Sequence, residues 1–163
     1  EADDIIAYLC HKLPNKPNDK IFIVSSDKDF LQLITNQVVV YRPMEKRYYT
    51  EAVMEEKYKM PAKNFILYKT LLGDSSDKIK GVKGLGEKGL LKKFPELSGG
   101  ELSFDDIFNI CEQKFKDHVV YARVIQEIDN LEKNYKVMDL SNPLIGENEK
   151  KSLEKKTKKY QQI

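Results

Sequence analysis

Three short acidic clusters constrain the fold of this chain more than any other feature. The clusters are Glu1, Asp3 and Asp4, then Asp27 and Asp29, then Asp74 and Asp77. If the fold brings them together they need a cation between them, because carboxylates in contact repel one another. Oxygen ligands without a cysteine or histidine cluster suit Mg²⁺ or Mn²⁺. The sequence therefore predicts a fold that gathers three distant segments around hard metal ions.

A basic segment follows the third acidic cluster directly. Between Lys78 and Lys93 the chain carries six lysines and a single acid, Glu87, although its formal net charge is only +2. Positive and negative side chains are therefore separated along the sequence rather than mixed. This separation suits a protein that holds an anionic polymer at one surface and cuts it at another.

Length and composition narrow the class further. The 163 residues are enough for one domain, or for a domain with a helical extension. No apolar run reaches membrane-spanning length and no signal peptide is recognisable, so no membrane partner is expected. Cys10 and Cys111 are isolated, which favours buried reduced thiols and a cytoplasmic protein. His11 and His118 are isolated as well, and each is expected to be structural or at the surface.

The hydrophobic pattern predicts an α/β part followed by a helical part. The run Ile21–Val24 is continuously apolar and β-branched, which predicts a strand buried on both faces and hence a sheet covered by helices. Further predictions are helices over 2–13, 29–34 and 118–134, and strands over 37–41 and 47–49. The predicted divisions are an α/β metal-binding part over 1–60, a helical part over 61–146, and a charged tail over 147–163 that frays.

Each acidic cluster alone has an ordinary structural explanation. Glu1 and Asp4 share a helix face, but acids are common in the first turn of a helix. Asp27 and Asp29 follow the buried strand, at the edge where open α/β sheets place ligands. Capping of the next helix is an alternative for Asp29 but explains the pair poorly. The third cluster flanks a Ser-Ser turn, where aspartate is favoured in any case. Only the combination of the three clusters with the basic, glycine-rich loop that follows them favours a metal site.

The glycine-rich stretch Gly81–Gly89 predicts a helix-hairpin-helix element. Gly84 and Gly86 allow a tight turn and close approach of the backbone, while free N–H groups at the start of the next helix can bind phosphate. Lys83 and Lys88 add positive charge at the same place. Contacts of this kind hold a nucleic acid without reading its bases.

Taken together, three segments resemble the 5′ nucleases, a family of bacterial and phage 5′–3′ exonucleases, flap endonucleases and polymerase-associated nuclease domains. The segments are Glu-Ala-Asp-Asp, Ser-Ser-Asp-Lys-Asp-Phe-Leu-Gln-Leu and Leu-Gly-Asp-Ser-Ser-Asp-Lys-Ile-Lys-Gly-Val-Lys-Gly-Leu-Gly-Glu-Lys. The resemblance runs from residue 1 to about residue 94. The stretch Val40-Tyr-Arg-Pro-Met-Glu-Lys-Arg-Tyr and the helical C-terminal region look like the phage ribonuclease H branch. The fold implied is the C-terminal portion of a PIN-like, Rossmann-like sheet followed by the helical hairpin.

The resemblance also implies a site with two divalent ions, Mg²⁺ or Mn²⁺. Glu1, Asp3 and Asp4 match the family's first metal position, and the groups around the second are matched by Asp27, Asp29, Asp74 and Asp77. The segment from Gly81 to Gly89 would hold the duplex backbone directly and through a bound K⁺. One departure is Lys78, where many relatives carry asparagine. The family's first strand, its leading aspartates and its helical arch have no counterpart here, so the chain alone is expected to be incomplete or inactive.

The function that the resemblance implies is metal-dependent 5′–3′ exonuclease or flap endonuclease activity on branched or nicked duplex DNA and on RNA–DNA hybrids. It also implies RNA primer removal in replication, in the cytoplasm of a bacterium or of a bacterial host cell. A replication clamp or a single-strand-binding protein is the partner expected from the family. One alternative is a non-catalytic helix-hairpin-helix module that binds DNA junctions. The other, a small single-strand ribonuclease, is disfavoured because such domains usually lack the lysine-rich hairpin.

Overall fold

The computed structural model of the chain describes residues 1–13 and 16–158. Its α-helices are α1 (Ala2–Lys12), α2 (Glu51–Tyr58), α3 (Phe65–Leu72), α4 (Glu87–Lys93), α5 (Phe104–Lys114), α6 (Val119–Gln126), α7 (Ile128–Met138) and α8 (Glu147–Lys158). Its strands are β1 (Ile21–Val24), β2 (Val38–Arg42), β3 (Arg47–Tyr49), β4 (Gly73–Asp74) and β5 (Ile79–Lys80). Short 3-10 helices cover Asp29–Leu33, Ala62–Asn64 and Pro95–Ser98.

A three-stranded sheet in the order β1-β2-β3 organises the first part of the chain. Strands β1 and β2 are parallel, with Ile21 opposite Val38, and β3 returns antiparallel with Tyr49 opposite Val40. Because β1 and β2 run in the same direction, their carboxyl ends meet at one edge of the sheet. The loop that carries Asp27 begins at that edge, as the sequence predicts.

The prediction that β1 is buried on both faces is wrong. Ile23 is buried, but the side chains that alternate with it are exposed, with Phe22 at 58% and Val24 at 67%. Tyr48 on β3 stacks edge-on against Phe22 with ring centroids 6.2 Å apart, and it is itself 56% exposed. The described helices cover only the face that carries Ile23. An uninterrupted apolar run does not distinguish a strand covered on both faces from one with an open apolar face.

Two hydrophobic cores lie side by side. The first packs around the sheet and includes Ile23, Val40 and Tyr49, and the second lies among the helices that follow. Tyr58 and Tyr68 pack against both cores, so the two share a boundary of aromatic rings. The predicted division between residues 60 and 61 falls near this boundary but stays a prediction.

Two helical predictions need correction. The long helix predicted over 118–134 is two helices, α6 and α7, separated at Glu127. The tail predicted to fray is helical over 147–158, where the hydroxyl of Tyr8 donates a hydrogen bond to Glu154 Oε1 at 2.8 Å. Lysine and glutamate are good helix formers, and α8 has a stabilising ion pair between Lys150 and Glu147 at 2.7 Å. Residues 159–163 of that tail, and 14 and 15 of a predicted turn, lie outside the described residues.

The cysteines and histidines have structural roles. Cys10 and Cys111 are both free and buried, which confirms the prediction of unpaired thiols. Burial raises the pKa of Cys10 to about 11 and that of Cys111 to about 12, so both remain protonated thiols. The imidazole of His118 accepts a hydrogen bond from the Val120 N–H at 3.2 Å and caps α6. Within the described ranges no helix is both long enough and apolar enough to cross a membrane.

Candidate metal centre and nucleic-acid interface

The loop after β1 places Asp27 and Asp29 by local hydrogen bonds. Ser25 Oγ accepts from the Asp27 N–H at 3.1 Å, and Asp27 Oδ1 accepts from the Asp29 N–H at 2.9 Å. The capping explanation considered for Asp29 therefore applies instead to Asp27, which receives the first N–H of the 3-10 helix. This leaves the side chain of Asp29 free to point toward the second part of the molecule.

A buried arginine at the end of β2 supports the same loop. Arg42 is only 6% exposed, and its Nη2 donates to the carbonyl oxygen of Ser26 at 2.8 Å. It also forms an ion pair with Glu45, whose carboxylate accepts hydrogen bonds from Tyr49 and Lys57. The Tyr49 hydroxyl, followed by Lys57 and Arg42, outweighs the effect of burial and lowers the pKa of Glu45 to about 2. The carboxylate of Glu45 thus holds Arg42 beneath the loop.

Lys69 joins the second and third acidic clusters. Its Nζ lies 2.8 Å from Asp74 Oδ2 and also forms an ion pair with Asp29 Oδ1. Lys69 is 4% exposed, which is rare for a lysine unless its charge is paired. Asp74 Oδ1 accepts from the Ser76 N–H at 2.8 Å. Burial would raise the pKa of Asp74, but the hydrogen bonds from Lys69 and Ser76 outweigh it and hold the pKa well below its usual range.

The first cluster lies on the opening turn of α1. Asp3 is partly buried, and burial, followed by the negative charges of Asp27, Glu1 and Asp4, raises its pKa. The fold thus brings the first and second clusters within electrostatic reach of each other, although they are more than twenty positions apart in sequence. Asp4 Oδ1 accepts from the Leu144 N–H at 2.8 Å.

Within residues 1–13 and 16–158, no group of three or more potential ligands is arranged to hold a metal ion. Lys69 lies between Asp29 and Asp74, and the Leu144 N–H donates a hydrogen bond to Asp4. Asp77 is exposed in the turn between β4 and β5. The donor chemistry nevertheless fits Mg²⁺ or Mn²⁺, because all donors are carboxylate oxygens and Asp29 Oδ1 is fully buried with no hydrogen bond beyond its ion pair.

The predicted hairpin connects α3 to α4 through the short β4–β5 ribbon and a glycine-rich turn. A Cβ on Gly81 would lie 2.1 Å from the carbonyl carbon of Leu72, so only glycine fits there. Gly84 has φ +83°, in the left-handed region that glycine adopts without strain. Gly86 is the N-cap of α4, and no atom of residues 1–13 or 16–158 would come within 4 Å of a Cβ there. Lys83 and Lys88 are both exposed on this turn.

One cleft joins the acidic site to the hairpin. It has a volume of about 300 Å³, and its walls include Lys28, Lys69 and Asp74 on one side and Gly86 and Glu87 on the other. Tyr68 also lines it and donates a hydrogen bond to the carboxylate of Glu87 across the top of α3. Asp74 of the third acidic cluster and Gly86 of the hairpin therefore line the same cleft.

Sequence reasoning missed two of the residues that organise this site. Lys69 is the only charged residue in the helix Phe65–Leu72, and a lone charge in an apolar helix was a signal that a buried partner exists. Arg42 is likewise the single charged residue of the strand β2, at its C-terminal end.

A β-sheet edge that carries carboxylates beside a basic helical hairpin defines a class of α/β proteins that process nucleic acids. Residues 1–59 match the family model described as the N-terminal resolvase-like domain of 5′-3′ exonucleases. The 5′-3′ exonuclease of Aquifex aeolicus is 33% identical over 143 residues, covering 86% of this chain and 45% of the relative. The flap endonuclease Xni of Shewanella woodyi is 36% identical over 135 residues, covering 81% of this chain and 53% of the relative. The chain thus spans about half the length of these relatives.

Solved structures give the same result. A structure described as divalent metal ions (zinc) bound to T5 5′-exonuclease superimposes with a TM-score of 0.68 at 26% identity, covering 86% of this chain and 50% of that one. A T5 flap endonuclease in a pseudo-enzyme-product complex with DNA and metal ions has the same score, identity and coverage. The chain belongs to the 5′ nuclease superfamily, and its PIN-like α/β fold is confirmed. The finer likeness to the phage ribonuclease H branch stays a prediction.

Proposed function

We propose that this chain contributes the metal-binding carboxylates and the duplex-binding hairpin of a 5′–3′ exonuclease or flap endonuclease. The observation that carries the proposal is the cleft of about 300 Å³, which has Asp74 in one wall and Gly86 in the other. A phosphodiester backbone held at the hairpin would lie next to the carboxylate of Asp74, whose pKa is held low by Lys69 and Ser76. Relatives that carry the names exonuclease and flap endonuclease support this reading.

The carboxylates would hold two divalent ions, Mg²⁺ or Mn²⁺. When bound, such a pair supplies an activated water and stabilises the leaving oxygen, so no protein nucleophile is needed. The ligand set that we propose is Glu1, Asp3, Asp4, Asp27, Asp29, Asp74 and Asp77. Lys69 and Ser76 lower the pKa of Asp74, whereas burial and the neighbouring carboxylates raise that of Asp3, an effect that a bound cation would oppose. Arg42 fixes the backbone that presents Asp27 and Asp29.

The hairpin would hold the duplex by its backbone. Gly84 and Gly86 leave the turn open to close approach, and Lys83 and Lys88 are exposed there to neutralise phosphates. A K⁺ ion bound in the turn between Gly81 and Gly86 is part of the same proposal. Grip of this kind is independent of sequence and weakens as salt rises.

Branched and nicked duplex DNA and RNA–DNA hybrids are the substrates that we propose, with primer removal in replication as the process. A replication clamp or a single-strand-binding protein is the partner class that goes with that process. The cytoplasm of a bacterium or of a bacterial host cell is the corresponding location. The bacterial relatives support the setting.

A labelled 5′-flap duplex tests the proposal in the intact protein. Cleavage should require Mg²⁺ or Mn²⁺, stop when EDTA is added, and release short 5′ products from the flap and from an RNA–DNA hybrid.

A non-catalytic junction-binding module is the second candidate, because no three carboxylates of the described residues converge. Tight binding of the flap duplex without metal-dependent cleavage would favour that candidate.

A further inference from the structure

We infer that the ammonium group of Lys69 occupies the gap in which a divalent cation binds between Asp29 and Asp74, so that lysine and metal are alternative counter-ions. The inference rests on the proposed metal-dependent function and adds a positioning residue to it. Lys69 would keep the two carboxylates aimed at one point while the metal is absent, and would leave that point when the metal arrives.

The geometry of the ion pair carries this inference. Lys69 Nζ contacts one oxygen from each of two acidic clusters, Oδ1 of Asp29 and Oδ2 of Asp74, the latter at 2.8 Å. The side chains of both aspartates are mostly shielded, at 16% and 18% exposure. A single cation therefore sits between two carboxylates that begin in different parts of the fold, which is the arrangement expected for a shared metal ion.

The surroundings leave these carboxylates few other ways to be neutralised. Asp74 Oδ1 is used by the turn through Ser76, so Oδ2 is the oxygen that faces the gap. Asp29 Oδ1 is fully buried and has no hydrogen bond apart from the contact with Lys69. Two carboxylates this close cannot both stay ionised and shielded without a cation. Removal of the lysine therefore leaves two carboxylates without their counter-ion.

The fold also gives the lysine side chain a place to go. Lys69 lines the cleft of about 300 Å³ that opens toward Glu87 and Gly86. Rotation of the long side chain into this cleft would direct the ammonium toward Glu87, which lines the same cleft, on the path proposed for the nucleic acid. Displacement from the gap thus exposes the charge without burying it elsewhere.

A purely structural role for Lys69 makes a different prediction. The ion pair connects the loop after β1 with the start of β4, so its loss would lower the free energy of unfolding under either interpretation. If the role of Lys69 is purely structural, its removal should leave the affinity for metal unchanged, or weaken it because the site becomes disordered. A competing counter-ion would raise that affinity when removed, because a positive charge no longer repels the incoming ion.

Mn²⁺ binding to the intact protein separates these roles. We expect Lys69→Met to bind the more weakly held of its two Mn²⁺ ions about tenfold more tightly in calorimetric titrations. The loss of one nearby positive charge should change the metal-binding constant by about the factor of ten that corresponds to one pKa unit. The matched control is Lys114→Met, which removes an ion pair with Glu96 far from the carboxylates and should leave the affinity unchanged. Equal or weaker Mn²⁺ binding by Lys69→Met overturns the inference and leaves the proposed function standing. No Mn²⁺ binding by either protein overturns both.

A measurement on the unaltered protein covers the case in which Lys69→Met fails to fold. Crystals grown with Mn²⁺ should show anomalous density between Asp29 and Asp74, with Lys69 Nζ displaced from the gap into the cleft. Mn²⁺ bound at the other carboxylates while Lys69 still bridges Asp29 and Asp74 would contradict the inference.

Discussion

Arg123 on α6 donates a hydrogen bond from Nη1 to the carbonyl oxygen of Lys83 at 2.8 Å, across 40 positions of sequence. The same guanidinium lies where a side chain on Gly84 would be, since a Cβ there would approach Nη1 to 2.7 Å. The helical part of the molecule therefore braces the glycine-rich turn from behind. The opposite side of the turn, at Gly86, stays open to a ligand.

Gly84→Ala should destabilise the turn and weaken duplex binding. The new methyl group meets Arg123 and is forced into the left-handed region at φ +83°, at a cost of about 1–2 kcal/mol in the free energy of unfolding. Urea unfolding measures that cost, and fluorescence anisotropy with a labelled duplex measures the affinity.

Gly86→Ala is the matched control for stability. The backbone there is extended at φ −123° and no atom of the described residues would lie within 4 Å of the Cβ, so the free energy of unfolding should fall less than in Gly84→Ala. Its duplex affinity should still fall if DNA approaches the turn closely. A large loss of stability in Gly86→Ala, or none in Gly84→Ala, would contradict the assigned backbone roles.

Replacement of Lys83 and Lys88 by alanine should weaken duplex binding regardless of sequence. Each lost phosphate contact should flatten the dependence of log K on log salt by about one unit, so the double variant should lose about two. Single-turnover cleavage at saturating DNA should change much less, because the carboxylates are untouched. An unchanged salt slope, with an intact circular dichroism spectrum, would mean that these lysines only form a solvated face.

Asp27→Asn and Asp74→Asn should each abolish metal-dependent cleavage while largely sparing duplex binding. In the ligand set proposed above both carboxylates hold metal rather than DNA, and a neutral amide is a poor ligand for Mg²⁺. Asp129→Asn, an exposed change on α7, is the control for the loss of one negative charge. Cleavage of the flap duplex by the two site variants within a few-fold of the unaltered protein would refute the ligand assignment.

Stability should fall in acid partly through Glu45. Its folded-state pKa of about 2 lies below the ordinary value of 4.5, so its contribution is full above pH 4.5 and disappears as the pH falls toward 2. Since the side chain is 34% exposed, we expect that Glu45→Gln costs about 1–2 kcal/mol at pH 7 and little at pH 2. Urea unfolding at several pH values checks this, with the exposed Glu55→Gln as control. A cost that does not change with pH would rule out the ion pair as its origin.

Local signals predicted much of the fold. The apolar run of β1 predicted its strand, and the structure also shows local caps, Thr50 on α2 and the capping box of Ser103 with Asp106 on α5. The exposed face of β1 was not predictable, because it depends on which other elements lie over the sheet. The break between α6 and α7 at Glu127 was missed because the helical spacing of apolar residues continues through it, so the local pattern shows no boundary there.

The candidate site shows the same limit. Its acidic residues are visible as clusters, but the ammonium between Asp29 and Asp74 and the backbone N–H of Leu144 on Asp4 are tertiary contacts. A local pattern does not specify the partner of a charge that comes from a distant helix. Lys69 was recognisable as an unusual residue in an apolar helix, though not as the neighbour of these particular carboxylates.

The aromatic boundary between the two cores has a consequence for the order in which activity and folded structure are lost on heating. Phe65 stacks there on Tyr68 with ring centroids 5.1 Å apart, and Tyr58 packs edge-on against Phe65 at 4.9 Å. Asp29 lies next to residues of the first core, and Asp74 follows the end of α3, which packs in the second core. A small displacement of one core relative to the other along this aromatic boundary would separate the two carboxylates while both cores remain folded. Thermal inactivation would then precede melting, and the most effective thermostabilising changes would be those that tighten the stacked rings.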